Sequence, residues 1–157
     1  MVGKIYRLNE TWFRLKGLPM DCQLNEILQE CAVGSLNGVL TFPEIVGKLA
    51  SMGVERYHAD YVRRETTYYL SDSESYVVST PHPWYPIAKT FSGADVESAV
   101  RQSQRNEHTY LEFLRKTSEA GCVGYFVQIT GRRVVYFGRE GDCHVETFPT
   151  APIDATL

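Results

Sequence analysis

Long apolar runs are missing from this chain: none of its 157 residues belongs to a stretch approaching the roughly 20 apolar residues of a membrane span. The opening Met1-Val2-Gly3-Lys4-Ile5-Tyr6 lacks the apolar core of a secretory signal, so the expected setting is cytoplasmic, with no membrane partner. A basic excess is missing too. The formal net charge is -3, which disfavours broad electrostatic binding to nucleic acid. The four cysteines, Cys22, Cys31, Cys122 and Cys143, form no C-x-x-C pair and no metal-ligand spacing, and read as reduced packing thiols. Gly38 and Gly47 build no G-x-G-x-x-G loop, and phosphate-binding loops, H-E-x-x-H and G-x-S-x-G are absent. No cofactor and no metal are therefore expected. What remains is an ordinary globular composition, 43% hydrophobic and 22% charged, enough to bury one core.

The chain rhymes with itself. Laid over itself at an offset of 68, residues 41–81 match 109–149 at nine positions. These include Thr41/Thr109, Glu44/Glu112, Lys48/Lys116, Gly53/Gly121, Tyr57/Tyr125, Arg64/Arg132, Tyr68/Tyr136 and Val77/Val145. Unrelated segments would share about two or three. The offset predicts an internal duplication of one structural unit.

Each unit opens on helices. Thr41-x-x-Glu44 and Thr109-x-x-Glu112 are capping boxes, Pro43 is tolerated in a first turn, and Gly53 and Gly121 stand where left-handed C-terminal caps belong. An earlier helix precedes each: Leu24, Ile27, Leu28 and Cys31 share one face, as do Val96, Ala99 and Val100 behind a Ser92-x-x-Asp95 cap. Strand-type sequence follows each capped helix, from Val54 to Ser79 and from Cys122 to Phe148, broken near Arg63-Arg64, Ser71-Asp72-Ser73, Thr130-Gly131-Arg132 and Arg139-Glu140-Gly141. The reading is an α+β two-layer sandwich of two helix-helix-strand-strand-strand units, with an antiparallel sheet and helices on one face. A three-stranded meander cannot hide its apolar face alone, so the halves should share a core. A single domain is expected, divided into an N-terminal extension (1–20), a first unit (21–81), a Pro/aromatic connector (82–91), a second unit (92–149) and a tail (150–157).

Strand alternation sorts candidate chemistry onto faces. It sends Glu55, Tyr57, Ala59 and Tyr61 toward the helices and leaves Arg56, His58 and Asp60 on the open face. On the last strand it sends Cys143, Val145 and Thr147 inward and His144, Glu146 and Phe148 outward. His58-x-Asp60 and His144-x-Glu146 then each place an imidazole and a carboxylate on one face, where they could orient a proton transfer, hold a metal, or simply decorate a solvated surface. Their mates in the other unit, Phe126, Gln128, Tyr76 and Val78, carry neither imidazole nor carboxylate, which fits one composite site kept on a copied scaffold and fits drift equally. Arg56 and Arg64 are candidate anion grips, and Tyr68 and Tyr136 are either core or the walls of a pocket. His82 and His108 read as loop histidines.

Five segments carry a family likeness: Gly53-Val54-Glu55-Arg56-Tyr57-His58-Ala59-Asp60, Thr67-Tyr68-Tyr69, Ala120-Gly121-Cys122-Val123-Gly124-Tyr125-Phe126, Gly131-Arg132-Arg133-Val134-Val135-Tyr136-Phe137-Gly138 and His144-Val145-Glu146-Thr147-Phe148-Pro149. From Leu24 to Pro149 the chain resembles the small bacterial and prophage-encoded YdfO/YbcV-like family. The resemblance implies a compact two-layer α/β fold and brings no activity or catalytic residue. The expected function is that of a bacterial or prophage-type accessory protein, binding a small ligand or protein partner through an open sheet face or the cleft between units, with homodimerisation as a variant. The alternative is a small acid-base enzyme acting on an anionic substrate, with His58, Asp60, His144 and Glu146 as its candidate catalytic groups.

Overall fold

A computed structural model describes residues 20–149, so the expectations for the tail, and for the extension before Met20, fall outside the described residues. The order is α1 (Met20–Leu36), α2 (Phe42–Ser51), β1 (Val54–Asp60), β2 (Glu65–Leu70), β3 (Ser75–Ser79), α3 (Gly93–Gln104), α4 (Tyr110–Glu119), β4 (Cys122–Gln128), β5 (Arg133–Gly138) and β6 (Cys143–Thr147). The strands form one antiparallel sheet in the order β3-β2-β1-β4-β5-β6. The two meanders are joined where β1 pairs with β4, and this gives the α+β architecture a continuous sheet. The elements from α2 to β3 recur 68 residues later, at equal lengths, as α4 to β6.

The helix ends follow from their sequence. In α4 the Glu112 carboxylate accepts the Thr109 N–H at 2.9 Å, and Thr109 Oγ1 accepts the Glu112 N–H at 3.2 Å. In α2 the Glu44 carboxylate accepts the Thr41 N–H at 2.7 Å. Caps of this kind contribute about 1 kcal/mol each. Gly53 and Gly121 end these helices at φ +81° and +84°, the left-handed region that other residues enter at a cost. Gly121 has a second constraint: a Cβ there would stand 2.3 Å from the Thr90 carbonyl oxygen, so the connector lies directly on the helix end.

The core sits between the helices and one sheet face. Leu28 and Leu49 are fully buried, with Val96 and Leu114 beside them, against Tyr57, Tyr68, Tyr125, Val127 and Tyr136. Each such leucine contributes roughly 2 kcal/mol or more by leaving water. The buried tyrosines satisfy their polar ends within this layer: Tyr61 Oη donates to Thr117 Oγ1 (2.9 Å), which itself donates to the Phe113 carbonyl (2.8 Å), while the Tyr110 and Tyr125 hydroxyls share a 2.7 Å hydrogen bond. Among the described residues no helix is long and apolar enough to cross a membrane.

Two expectations about the strands are corrected. The β1/β2 register slips between Val54 and Arg56, and the β4/β5 register slips between Cys122 and Gly124. These bulges put Val54 and Tyr57, and likewise Cys122 and Tyr125, on the helix side, so Glu55 is not part of the inward series. On β6 the faces are the reverse of those expected. Tyr136 pairs with His144 and Val134 with Glu146, which carries the buried side of β5 onto His144 and Glu146 and turns Cys143, Val145 and Thr147 outward.

Candidate functional site

One sheet face carries the helices; among the described residues, no helix or strand covers the other. Strand register arranges that face in three transverse rows. The central row runs Val77, Thr67, His58, Phe126, Val135, Val145 from β3 to β6. On one side of it lies Ser75, Tyr69, Arg56, Gln128, Arg133, Thr147; on the other lies Ser79, Glu65, Asp60, Gly124, Phe137, Cys143. The central row is uncharged apart from titration at His58, one flanking row is basic and the other acidic. Val77 is 56% exposed and Val145 47%, although both are large apolar side chains on regular strands.

His58 anchors the middle of this face. Its ring stacks on Phe126 at 4.4 Å and 15°, with Phe137 at 5.7 Å. Gly124 makes room for it, since a Cβ there would stand 3.1 Å from Nε2. Among the described residues Nε2 is buried without a hydrogen-bond partner. Burial lowers the His58 pKa from its ordinary value, against the opposing pull of Asp60 and Glu65. Asp60 does not orient this imidazole by any hydrogen bond of its Oδ1, which accepts the Val62 and Arg63 N–H groups at 3.0 Å each and so closes the β1–β2 turn. Arg56 lies over the Tyr69 ring at 4.1 Å and forms a 3.5 Å ion pair with Glu55.

His144 and Glu146 lie on the opposite side of the sheet, at its β6 edge under α3. Glu146 bridges two donors: His144 Nε2 at 2.7 Å through Oε1, and Arg101 at 3.0 Å through Oε2. Glu146 is 12% exposed and His144 20%. Burial pushes the Glu146 carboxyl upward, but the bonds from His144 and Arg101 prevail and hold it below the usual range. The four residues expected to form one composite site are therefore split between two faces, and no single substrate can meet both histidines. Sequence reasoning missed Arg101, because its spacing marks only the exposed i,i+4 pair with Glu97.

The remaining candidates have structural partners. Arg64, at φ 52°, donates to the His82 carbonyl at 3.3 Å and ties the connector to the β1–β2 turn. His82, read as a loop histidine, is buried, with Nδ1 2.7 Å from the Pro83 carbonyl oxygen. Tyr68 and Tyr136 are buried on the helix side. Tyr68 lines a cavity of about 30 Å³ with Tyr57, Tyr110, Tyr125 and Ser35, far below the few hundred Å³ of a metabolite pocket. Cys31 and Cys122 pack in the core, while Cys22 and Cys143 are exposed rather than packed. Among the described residues no group of three His, Cys, Asp or Glu side chains is placed to hold a metal.

The family described as a protein of unknown function, DUF1398, matches residues 33–146, and the chain belongs to this family. The match spans both strand meanders and the helices α2, α3 and α4. No curated protein matches the chain.

Proposed function

We propose that this member of a family without an assigned activity is a binding protein, of the bacterial or prophage accessory type that the YdfO/YbcV-like resemblance suggests, acting in the cytoplasm. Its uncovered sheet face is the docking surface, and its partner is a protein. The observation that carries this reading is the apolar central row, in which exposed Val77 and Val145 and half-buried Val135 flank the His58/Phe126 stack, with no helix or strand over them among the described residues. An uncovered apolar row across a sheet is a feature of interaction sites. The cavity between the units is an order of magnitude too small for the rival binding mode, a metabolite held in the inter-unit cleft.

The same proposal includes an ancestral duplication. It is supported by the backbone: the eight described residues with positive φ fall into four pairs 68 apart, Gly38/Asn106, Gly53/Gly121, Arg64/Arg132 and Ser73/Gly141. Asn, Arg and Ser tolerate this region less readily than glycine, so their recurrence at fixed spacing reflects a shared chain path.

A photo-activatable residue installed at Val77 in the producing cell tests the docking reading, with Glu119 on α4 as the control position. A discrete adduct with one identified protein at Val77, absent at Glu119, is the expected result. Equal or absent adducts at the two positions would sink it. The enzyme alternative keeps one observation in its favour, the Arg101–Glu146–His144 array, in which a fixed carboxylate orients an imidazole. It requires a turnover, found in any substrate panel, that His144→Gln abolishes and His58→Gln does not.

A further inference from the structure

We infer that the occupant of the open sheet face is a second copy of this chain, related by a twofold axis lying along the central row. The inference rests on reading that face as a docking surface and adds the identity and geometry of the partner. Its basis is the arrangement of charge. Arg56 and Arg133 lie in one flanking row and Asp60 and Glu65 in the other, on either side of the central row. A twofold axis along that row leaves the central row facing itself and exchanges the flanks, so each basic row meets the partner's acidic row. Arg56 then faces Asp60 across the interface, and Arg133 faces the ring of Phe137. A twofold axis along the strands would instead set acidic row beside acidic row and basic beside basic, an arrangement that like-charge repulsion disfavours.

The contacts of Arg56 and Asp60 agree with this placement, while Glu65 is already paired with Arg63. One Asp60 oxygen is committed to the turn, through Val62 and Arg63, and the other can accept from a facing guanidinium. Among the described residues Arg56 is held only by the 3.5 Å pair with Glu55 and by its position over Tyr69, which leaves donors for a partner. Area sets the strength. Six strands about 4.8 Å apart and three rows about 6.8 Å apart make a face on the order of 500 Å². Two such faces bury roughly 1,000 Å², the lower limit for a specific interface, so the dimer forms and dissociates with concentration in the micromolar range.

Size-exclusion chromatography with light scattering on the full chain, from about 1 to about 500 μM, reads this directly. Wild type is expected to pass from monomer to twice the monomer mass. Arg56→Glu sets acid against acid and should weaken the dimer roughly tenfold or more. Adding Asp60→Asn, which keeps a turn-capping oxygen but removes the charge, should restore it to within about threefold. Far-ultraviolet circular dichroism checks that each variant is folded. A wild type that stays monomeric at the highest concentration overturns the inference, and so does a dimer indifferent to Arg56→Glu. The docking reading fails separately: a monomeric wild type whose Val77 adducts contain a different protein leaves that reading standing and removes only the second copy.

Discussion

His58→Phe should make this protein more stable. The substitution keeps an aromatic ring on Phe126, where imidazole and phenyl already stack at 4.4 Å, and it removes Nε2, a buried nitrogen with no partner among the described residues. A buried polar group left unsatisfied costs about 1–3 kcal/mol. Against this stands the larger phenyl ring, which must fit beside Gly124, where 3.1 Å separates Nε2 from the position a Cβ would take. Mild overpacking of that kind costs about 1 kcal/mol, leaving a net gain of about 1 kcal/mol at pH 8. Acid enlarges the difference. Burial depresses the folded-state pKa of His58, so the stability attached to its neutral form is present above the unfolded value near 6.5 and is lost as pH falls through the folded value. Urea denaturation of both proteins at pH 8 and pH 5, at concentrations where wild type is monomeric, measures both effects. Wild type should lose stability toward pH 5 at up to about 1.4 kcal/mol per pH unit more steeply than His58→Phe. If His58→Phe is the less stable protein at both pH values, the imidazole is not a cost to the fold, and the reasoning fails.

Gly121→Ala and Gly53→Ala form a matched pair, because the two glycines share φ near +80° and differ in their surroundings. Gly53→Ala meets nothing closer than Ser71 Oγ at 4.0 Å and should cost about 1–2 kcal/mol, whereas Gly121→Ala drives a methyl into the Thr90 carbonyl and should cost at least about 3 kcal/mol. Equal denaturation midpoints for the pair would contradict the close approach of the connector. Glu146→Gln weakens the bonds from His144 and Arg101 and should cost about 1 kcal/mol at neutral pH, a figure discounted because the Arg101 side chain is 41% exposed. Since the folded carboxyl is held below its ordinary pKa, that stability is present above about pH 4.5 and is lost as pH falls through the depressed value. The acid limb of the stability profile should flatten in Glu146→Gln, and an unchanged limb counts against the bridge.

The elements were legible because their signals are local. A threonine followed three residues later by glutamate can satisfy two amide groups in only one way, and both boxes start helices where the spacing predicts. The strand faces were less legible, since a period of two fixes which residues share a face and says nothing about which face is buried. On β6 the apparent apolar residue, Val145, points outward, while the buried side is lined by His144 and Glu146. Their mates in the other unit held the answer: Val78 is 2% exposed, and position 146 descends to the same side of the sheet. The bulges at Glu55 and Val123 left no signal of this kind, because an extra residue in one strand is stabilised by the pairing of its neighbour. The split of His58 from His144 was equally hidden, since it depends on strand order and face together.

Where the two units differ on the open face, the differences are what give its two flanking rows opposite charge. Strands β1 and β4 are antiparallel neighbours, with Arg56 opposite Gln128, His58 opposite Phe126 and Asp60 opposite Gly124. The residue 68 positions after Arg56 is Gly124, which lies in the row of Asp60; the residue 68 positions after Asp60 is Gln128, which lies in the row of Arg56. The repeat therefore maps each flanking row onto the other. Two identical units would give both rows the same net charge, so the two rows would not be opposite in sign. The opposite rows rest on positions at which the units differ: Glu65 against Arg133, Arg56 against Gly124 and Asp60 against Gln128. Over the same chain the helix-end glycines Gly53 and Gly121 and the buried tyrosine pairs Tyr57/Tyr125 and Tyr68/Tyr136 recur unchanged. Identity between the units is thus confined largely to backbone turns and core, and the charge that orders the open face is carried by the positions at which they part.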